Sequence, residues 1–339
     1  MSDESLNVGV LGAGSWGTAL AYLLSTRSHN VTHWALEPEV VAGINRERRN
    51  PLYMSQLEIP QNIHATGDLE EVVHESQMLL FVIPAQYVRK YLVQLRDILP
   101  SGIPLVICSK GIERNSLATM EQVFIEELPG KTHRDICVLS GPSFALEVTQ
   151  NMPTNVTVAS RTLGTARRVQ DVLATKVFRI YTTDDVTGVE LGGSLKNVMA
   201  IAVGASDGLG FGTNTRAGLI TRGLSEMSRL AVNMGGRPET MLGLAGVGDL
   251  ILTCTSDLSR NRQVGKMLGE GRAIADIQKE MRQVAEGVPT AESAHQLALR
   301  REVDMPITEQ VYNVIYEGKT VPEAMAALQA RTLKEEWSP

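Results

Sequence analysis

An excess of positive charge is what the chain most plainly lacks. Across 339 residues, 32 Lys and Arg face 38 Asp and Glu, a formal charge of −6. Nucleic-acid binders usually show a basic face, so this balance argues against one. It does not argue against a small anionic substrate, because a few cations suffice when gathered in one cleft. Long apolar runs are also missing. The longest clean run, Met78 to Ile83, is stopped by Pro84 and falls far short of the ~20 residues of a membrane span. The opening residues, MSDESLNVGV, are acidic and lack the basic region and apolar core of a signal peptide, so a cytoplasmic protein is expected. Cysteine is scarce. Cys108, Cys137 and Cys254 stand apart in no zinc or redox spacing, and they read as small buried hydrophobes in a reducing compartment. The six histidines form no HExxH or other close pair, so no metal site is expected. No Gly/Ser or Pro-rich linker, repeat or low-complexity tract divides the chain.

What is present is an alternation of strand-like and helix-like segments in the first half. Strands are expected at Val8–Leu11, Val31–Ala35, Met78–Ile83, Leu105–Cys108, Ile136–Leu139, Asn155–Ala159 and Val177–Tyr181. Several are continuous apolar runs, the pattern of strands covered on both faces. Between them lie helical stretches at Ala19–Leu24, Glu39–Arg48 and Gln86–Asp97, and an N-cap pair at Asp68 and Glu71. This order predicts an α/β fold, a doubly wound and mostly parallel sheet of the Rossmann kind. After Thr183 only helical segments follow: Val189–Ala205, Thr215–Met234, Leu250–Cys254, Asn261–Leu268, Pro289–Arg300, Ile307–Tyr316 and Glu323–Arg331. Thr320, Pro322 and Glu323 read as a capping box. The expected division is a dinucleotide-binding domain at 1–187, an all-α domain at 188–333 and a tail at 334–339, with the ligand cleft between the two domains.

Gly12-Ala13-Gly14-Ser15-Trp16-Gly17 follows the first strand directly and opens the first helix. In that context the three glycines serve a tight turn, close approach of a pyrophosphate, and helix-on-strand packing. The helix N-terminus offers free N–H groups to the phosphates. The second strand ends at Trp34-Ala35-Leu36-Glu37, where Glu37 is either a ribose-binding acid or a solvated loop acid. No cation stands at that point to hold a 2′-phosphate, although Arg46 or Arg48 could swing in. Cys108-Ser109-Lys110-Gly111 and Ser140-Gly141-Pro142-Ser143-Phe144-Ala145 lie at carboxyl ends of strands, the ligand side of open α/β sheets. Lys110 alone would read as a surface lysine.

Lys196 sits in an apolar, glycine-rich helix, either partly desolvated there or beside the apolar stripe at the surface. Burial and a neighbouring cation would lower its pKa toward the range useful for proton transfer. Asp249 and Thr253, four apart, share one helix face. Ser259-Arg260-Asn261 opens a helical run, where a hydroxyl, a guanidinium and free N–H groups could take a phosphate. The plainer readings are an N-cap for Ser259 and a solvated arginine for Arg260. Asn45 to Arg49, NRERR, reads as a solvated helix face.

The segments GAGSWGTA, CSKG, SGPSFA, ELGGSLKNV, AGVGDLILTC, SRNR and AEGVPTA, in this order across nearly the whole chain, resemble the bacterial NAD(P)-dependent glycerol-3-phosphate dehydrogenases. The resemblance implies reversible reduction of dihydroxyacetone phosphate to sn-glycerol 3-phosphate, feeding phospholipid synthesis. It places the catalytic proton donor and acceptor at Lys196. It places substrate contacts at Lys110, Gly141, Ser143, Lys196, Asp249, Ser259, Arg260 and Asn261. Cofactor contacts fall at Ser15, Trp16, Lys110, Ala145, Arg260, Val284 and Glu286, beside Gly12, Gly14 and Gly17. The cofactor is NAD or NADP, and a homodimer is the candidate assembly. One departure matters: Leu36 stands where many members carry a basic residue, which predicts substantial NADH use. Two rivals are a dehydrogenase of the 3-hydroxyacid or 6-phosphogluconate type, which would lack the combined CSKG and SRNR segments, and a silent dinucleotide-sensing protein, which would leave Lys196 and Asp249 without a shared purpose.

Overall fold

The computed structural model describes residues 5–129, 135–281, 285–333 and 335–336. Eight strands form one sheet: β1 (Asn7–Leu11), β2 (Asn30–Trp34), β3 (Ile63–Thr66), β4 (Met78–Phe81), β5 (Leu105–Ile107), β6 (Ile136–Ser140), β7 (Thr154–Ala159) and β8 (Phe178–Thr183). Their order is β3-β2-β1-β4-β5-β6-β7-β8. All neighbours run parallel except β6 and β7. β1 lies between β2 and β4, so the chain reverses its winding there and a crevice opens beyond the carboxyl ends of β1 and β4. Helices cover both faces, which is why Met78, Leu79, Leu80 and Phe81 of β4 are all fully buried. On one face Phe81 meets Phe124 edge to face, with ring centroids 4.8 Å apart.

The sheet ends at Thr183 and the helix Val186–Gly208 begins after two intervening residues, capped by Asp185 through a 2.9 Å bond from the Gly188 amide. This helix is buried on nearly every side, because other helices and the sheet surround it. Against it pack Thr213–Asn233, Asp249–Thr255, Arg260–Gly269 and Gly287–Arg300. Its contact with Arg260–Gly269 is backbone on backbone. A Cβ at Gly204 would lie 2.0 Å from Arg262 O, and one at Gly265 would lie 2.0 Å from Ile201 O. Missing side chains on both helices let the Lys196 helix and the start of the Arg260 helix approach.

Several elements differ from expectation. Glu39–Arg48 is not one polar helix: Pro38–Ala42 is followed by a π turn, Gly43–Glu47, and Arg48 is left-handed at φ 54°. The NRERR run is therefore more than a solvated face. Asn45 brackets the Ala65 backbone of β3, donating to its carbonyl and accepting from its amide, while Arg48 donates to the carbonyls of Ile59, Pro60 and Ile63. Gln86–Asp97 begins as a 3-10 turn, Ala85–Tyr87, before the helix Val88–Leu95. β3 and the helices Met120–Glu127, Leu163–Leu173, Pro238–Met241 and Ile274–Glu280 were not anticipated. Of the tail at 334–339, residues 334 and 337–339 lie outside the described residues. Among the described residues no single helix is long and apolar enough to cross a membrane.

The helix contact is tested by two glycine substitutions. Gly265→Ala forces a Cβ into Ile201 O, and overpacking of this kind costs about 1–3 kcal/mol. Gly218→Ala, where nothing lies within 4 Å and the helix surface is exposed, should stabilise by up to ~1 kcal/mol. Urea unfolding midpoints should therefore move in opposite directions.

Candidate active site

The long helix carries Lys196 into the junction between sheet and helices, where the residue is only 8% exposed. Its Nζ donates to Asp249 Oδ1 at 2.5 Å and to Thr253 Oγ1 at 2.8 Å. Asp249 opens the helix Asp249–Thr255, just after a π turn at Leu244–Gly248. Thr253, one turn on, donates its own proton to the Asp249 carbonyl at 2.7 Å, which leaves its oxygen to accept from Lys196. From the sheet, Lys110 leaves the carboxyl end of β5 and reaches Asp249 Oδ2 at 2.7 Å and Gly141 O at 3.4 Å. One buried carboxylate thus holds two ammonium groups, and the cluster keeps one net positive charge.

These neighbours set the proton affinities. Burial lowers the Lys196 pKa to about 8, Asp249 opposing and Lys110 adding to the fall. Burial disfavours the charged form of Asp249 too, but Lys110 and Lys196 outweigh it and hold the carboxyl below its ordinary range.

The glycine loop forms the other end of the crevice. Gly12 sits at φ +112°, where a Cβ would lie 2.6 Å from Val82 O. At Gly17 a Cβ would strike Gly12 O, so the first helix, Ser15–Thr26, packs directly on the turn. Gly14 caps that helix, and a Cβ there would meet nothing within 4 Å. Below, the buried His33 donates from Nε2 to Gly12 O at 3.2 Å. Burial pushes its imidazole down to about 4, so it stays neutral. Further along, Glu286 accepts from the Ala85 amide at 3.2 Å through Oε1, while its buried Oε2 has no hydrogen-bond partner. Burial raises this carboxyl to about 7, and Arg260 pulls it back. An open backbone cradle at a helix start, and an unsatisfied acceptor deeper in the same crevice, fit a dinucleotide with a polar head group.

The N-terminal part of the chain, residues 7–166, matches the family described as NAD-dependent glycerol-3-phosphate dehydrogenase N-terminus, and residues 185–326 match its C-terminal counterpart. A glycerol-3-phosphate dehydrogenase (NAD(P)+) of Geobacter sp. strain M21 is 51% identical over 97% of this chain and 98% of its own. That of Geobacter metallireducens is 53% identical over the same shares. The crystal structure of glycerol-3-phosphate dehydrogenase from Coxiella burnetii superposes with a TM-score of 0.92 at 37% identity, covering 96% of this chain and 99% of that one. The chain belongs to the NAD-dependent glycerol-3-phosphate dehydrogenase family.

For a member of this family, the residues expected from sequence fall into three groups: a charge cluster, the glycine loop and the start of the Arg260 helix. Lys110, Gly141, Lys196 and Asp249 touch one another, and Ser143 Oγ adds a 3.0 Å bond to the Gly141 carbonyl. Gly12, Gly14, Ser15, Trp16 and Gly17 form the glycine loop, and Ala145 opens a short helix beyond β6. Ser259 is the N-cap of the Arg260 helix, accepting from Arg262 N at 3.2 Å. Asn261 spends its amide on structure, donating to Asn197 Oδ1 at 2.9 Å and accepting from Gly287 N at 2.8 Å. Val284 lies outside the described residues. Sequence reasoning passed over Asn197, next to Lys196, and the residues that hold the glycine loop, Asn50 and Tyr53. Asn197 lies inside the segment ELGGSLKNV, where nothing in the pattern assigns it a role, and no motif marks Asn50 or Tyr53. Among the described residues no group of three or more His, Cys, Asp or Glu could hold a metal ion.

The charge cluster makes a signed prediction. Asp249→Asn removes the charge that keeps Lys196 protonated, so the Lys196 pKa drops below its present value of about 8. The alkaline inflection in kcat/KM for carbonyl reduction should move to lower pH by ~1 unit or more. A pH–rate series on the variant checks this, and an unmoved or alkaline-shifted inflection contradicts it.

Proposed function

We propose that this chain catalyses the reversible reduction of dihydroxyacetone phosphate to sn-glycerol 3-phosphate with NAD(P)H, supplying glycerol phosphate for phospholipid synthesis. The observation that carries the reading is the buried Lys196–Asp249–Lys110 cluster beside a dinucleotide-type glycine loop. When bound at Gly12, Gly14, Ser15, Trp16, Gly17, Ala145 and Glu286, the nicotinamide cofactor supplies or takes up a hydride. Lys196, as an ammonium, donates a proton to the carbonyl oxygen during reduction and stabilises the negative charge that builds there. In the reverse direction the neutral amine takes the hydroxyl proton. A pKa near 8 leaves both forms accessible close to neutral pH.

Asp249 fixes the orientation of Lys196, and Lys110 supplies a second positive charge toward the anionic substrate. Arg260 and the helix start that Ser259 caps are assigned to the phosphate, with Asn261, Gly141 and Ser143 completing the walls of that site. Binding this remote dianion positions the carbonyl and lowers the barrier through orientation. The division into a dinucleotide unit at 1–187 and a substrate unit at 188–333 follows from these roles, since Lys196 must meet a substrate placed over the sheet. A cytoplasmic location belongs to the same reading, supported by three buried free cysteines. So does a homodimer, which sedimentation at working concentration would test.

Lys196→Met should reduce turnover ~10²–10⁴-fold, while NADH binding, measured by calorimetry, stays essentially unchanged. The variant keeps Asp249 paired through Lys110, so folding is not at stake. Near-normal turnover would contradict the assignment. Arg260→Ala should cost ~2–5 kcal/mol in kcat/KM for dihydroxyacetone phosphate and little for unphosphorylated dihydroxyacetone. Equal losses for both substrates would remove Arg260 from the phosphate site.

A further inference from the structure

The segment that leaves the π turn folds back over the glycine loop. Asn50, fully buried, donates from Nδ2 to Ala13 O at 2.8 Å and Thr18 Oγ1 at 2.9 Å. Its Oδ1 accepts from the amides of Leu52 at 3.3 Å and Tyr53 at 3.2 Å. Ser15 Oγ, at the first position of the helix and between Gly14 and Gly17, donates to the Tyr53 carbonyl at 3.3 Å. The Tyr53 hydroxyl donates to Glu37 Oε1 at 2.8 Å. One residue therefore touches both features that flank a dinucleotide crevice: the phosphate-binding turn through its backbone, and the acid after β2 through its side chain. Among the described residues Glu37 Oε2 accepts no hydrogen bond, so this oxygen remains open to a ligand hydroxyl.

The surroundings sharpen the point. Leu36, 66% exposed, offers no charge to a 2′-phosphate. The Arg48 guanidinium is committed to three backbone carbonyls at the start of β3. A carboxylate on a free side chain could rotate away from an incoming phosphate. One held by a phenol that is itself held by Asn50 and Ser15 cannot do so without breaking that bond. The phenol stays a donor at any physiological pH, because burial and Glu37 raise its pKa to about 12.

We propose that Tyr53 is a specificity-determining residue that acts through Glu37: by fixing the carboxylate at the ribose end of the crevice, it favours an adenosine ribose with free 2′- and 3′-hydroxyls over one carrying a 2′-phosphate. The inference rests on the dinucleotide reading above. The ribose hydroxyl donates to Glu37 Oε2, whereas a phosphate dianion brings only acceptors and like charge to the same oxygen.

Calorimetric titration of the intact protein with NADH and with NADPH tests it on four forms: wild type, Tyr53→Phe, Glu37→Gln and the double variant. Tyr53→Phe removes one oxygen and keeps the ring. The ratio of Kd for NADPH to Kd for NADH should fall about tenfold in Tyr53→Phe, the scale of one hydrogen bond to a charged group. It should fall at least as far in Glu37→Gln, and adding Tyr53→Phe to Glu37→Gln should change it no further than ~2-fold. Equal weakening of both dinucleotides by Tyr53→Phe means the ring only packs against the ligand, and overturns the proposal. An undiminished effect in the Glu37→Gln background overturns it too. A wild type that binds neither dinucleotide contradicts the dehydrogenase reading itself, and the proposal with it.

Discussion

The carboxylate of Asp249 is the constraint on which the site depends. It is 1% exposed and shared between two ammonium groups, one from the sheet and one from the long helix. A buried carboxylate without such partners would cost several kcal/mol, and so would either lysine without it. Asp249 therefore needs at least one of the two lysines, each lysine needs Asp249, and the Lys110–Asp249 bond joins the α/β half to the helical half beside Lys196. In the proposed reaction the single positive charge left over faces the anionic substrate.

Geometry elsewhere serves this cluster. The Lys196 helix approaches the turn before Asp249 with no side chain between them, since a Cβ at Gly192 would lie 2.4 Å from Ala245 O, and it meets the Arg260 helix in the same way at Gly204 and Gly265. The same approach brings the capped start of the Arg260 helix close to Lys196, with Asn197 and Asn261 bonded across the contact at 2.9 Å. On the other side, Lys110 and Gly141 lie at the carboxyl ends of β5 and β6, where backbone leaves the sheet and side chains are free to face the crevice. The π turn before Asp249 is a wide turn of the kind often found at functional sites.

Much of this was legible in the sequence, and the exceptions have physical causes. β4 announced itself because a strand buried on both faces must be apolar throughout, and the Thr320 box because its two reciprocal bonds need fixed residue types. The helix Met120–Glu127 did not, because Glu121, on its inner side, is buried against Arg161 and Glu190 and breaks the apolar stripe. β3 is four residues with an exposed His64, too short for any period to show. The glycine loop and the lysine motifs could be found one by one. Their pairing could not, since Lys110 and Lys196 stand 139 and 53 positions from the aspartate they share. Glu37 stayed open between ribose acid and loop acid, because Tyr53, its partner, carries no motif.

Burial, more than Asp249 can offset, brings Lys196 into the range of a neutral-pH acid and base. Direct titration of its side-chain nitrogen measures this without any turnover. Protein carrying ¹⁵N-labelled lysine, with the Lys196 resonance assigned by its loss in Lys196→Met, would be followed by NMR from pH 6 to 11. The account predicts a midpoint near 8 for that one resonance. A midpoint at the ordinary lysine value of 10.5 would contradict it.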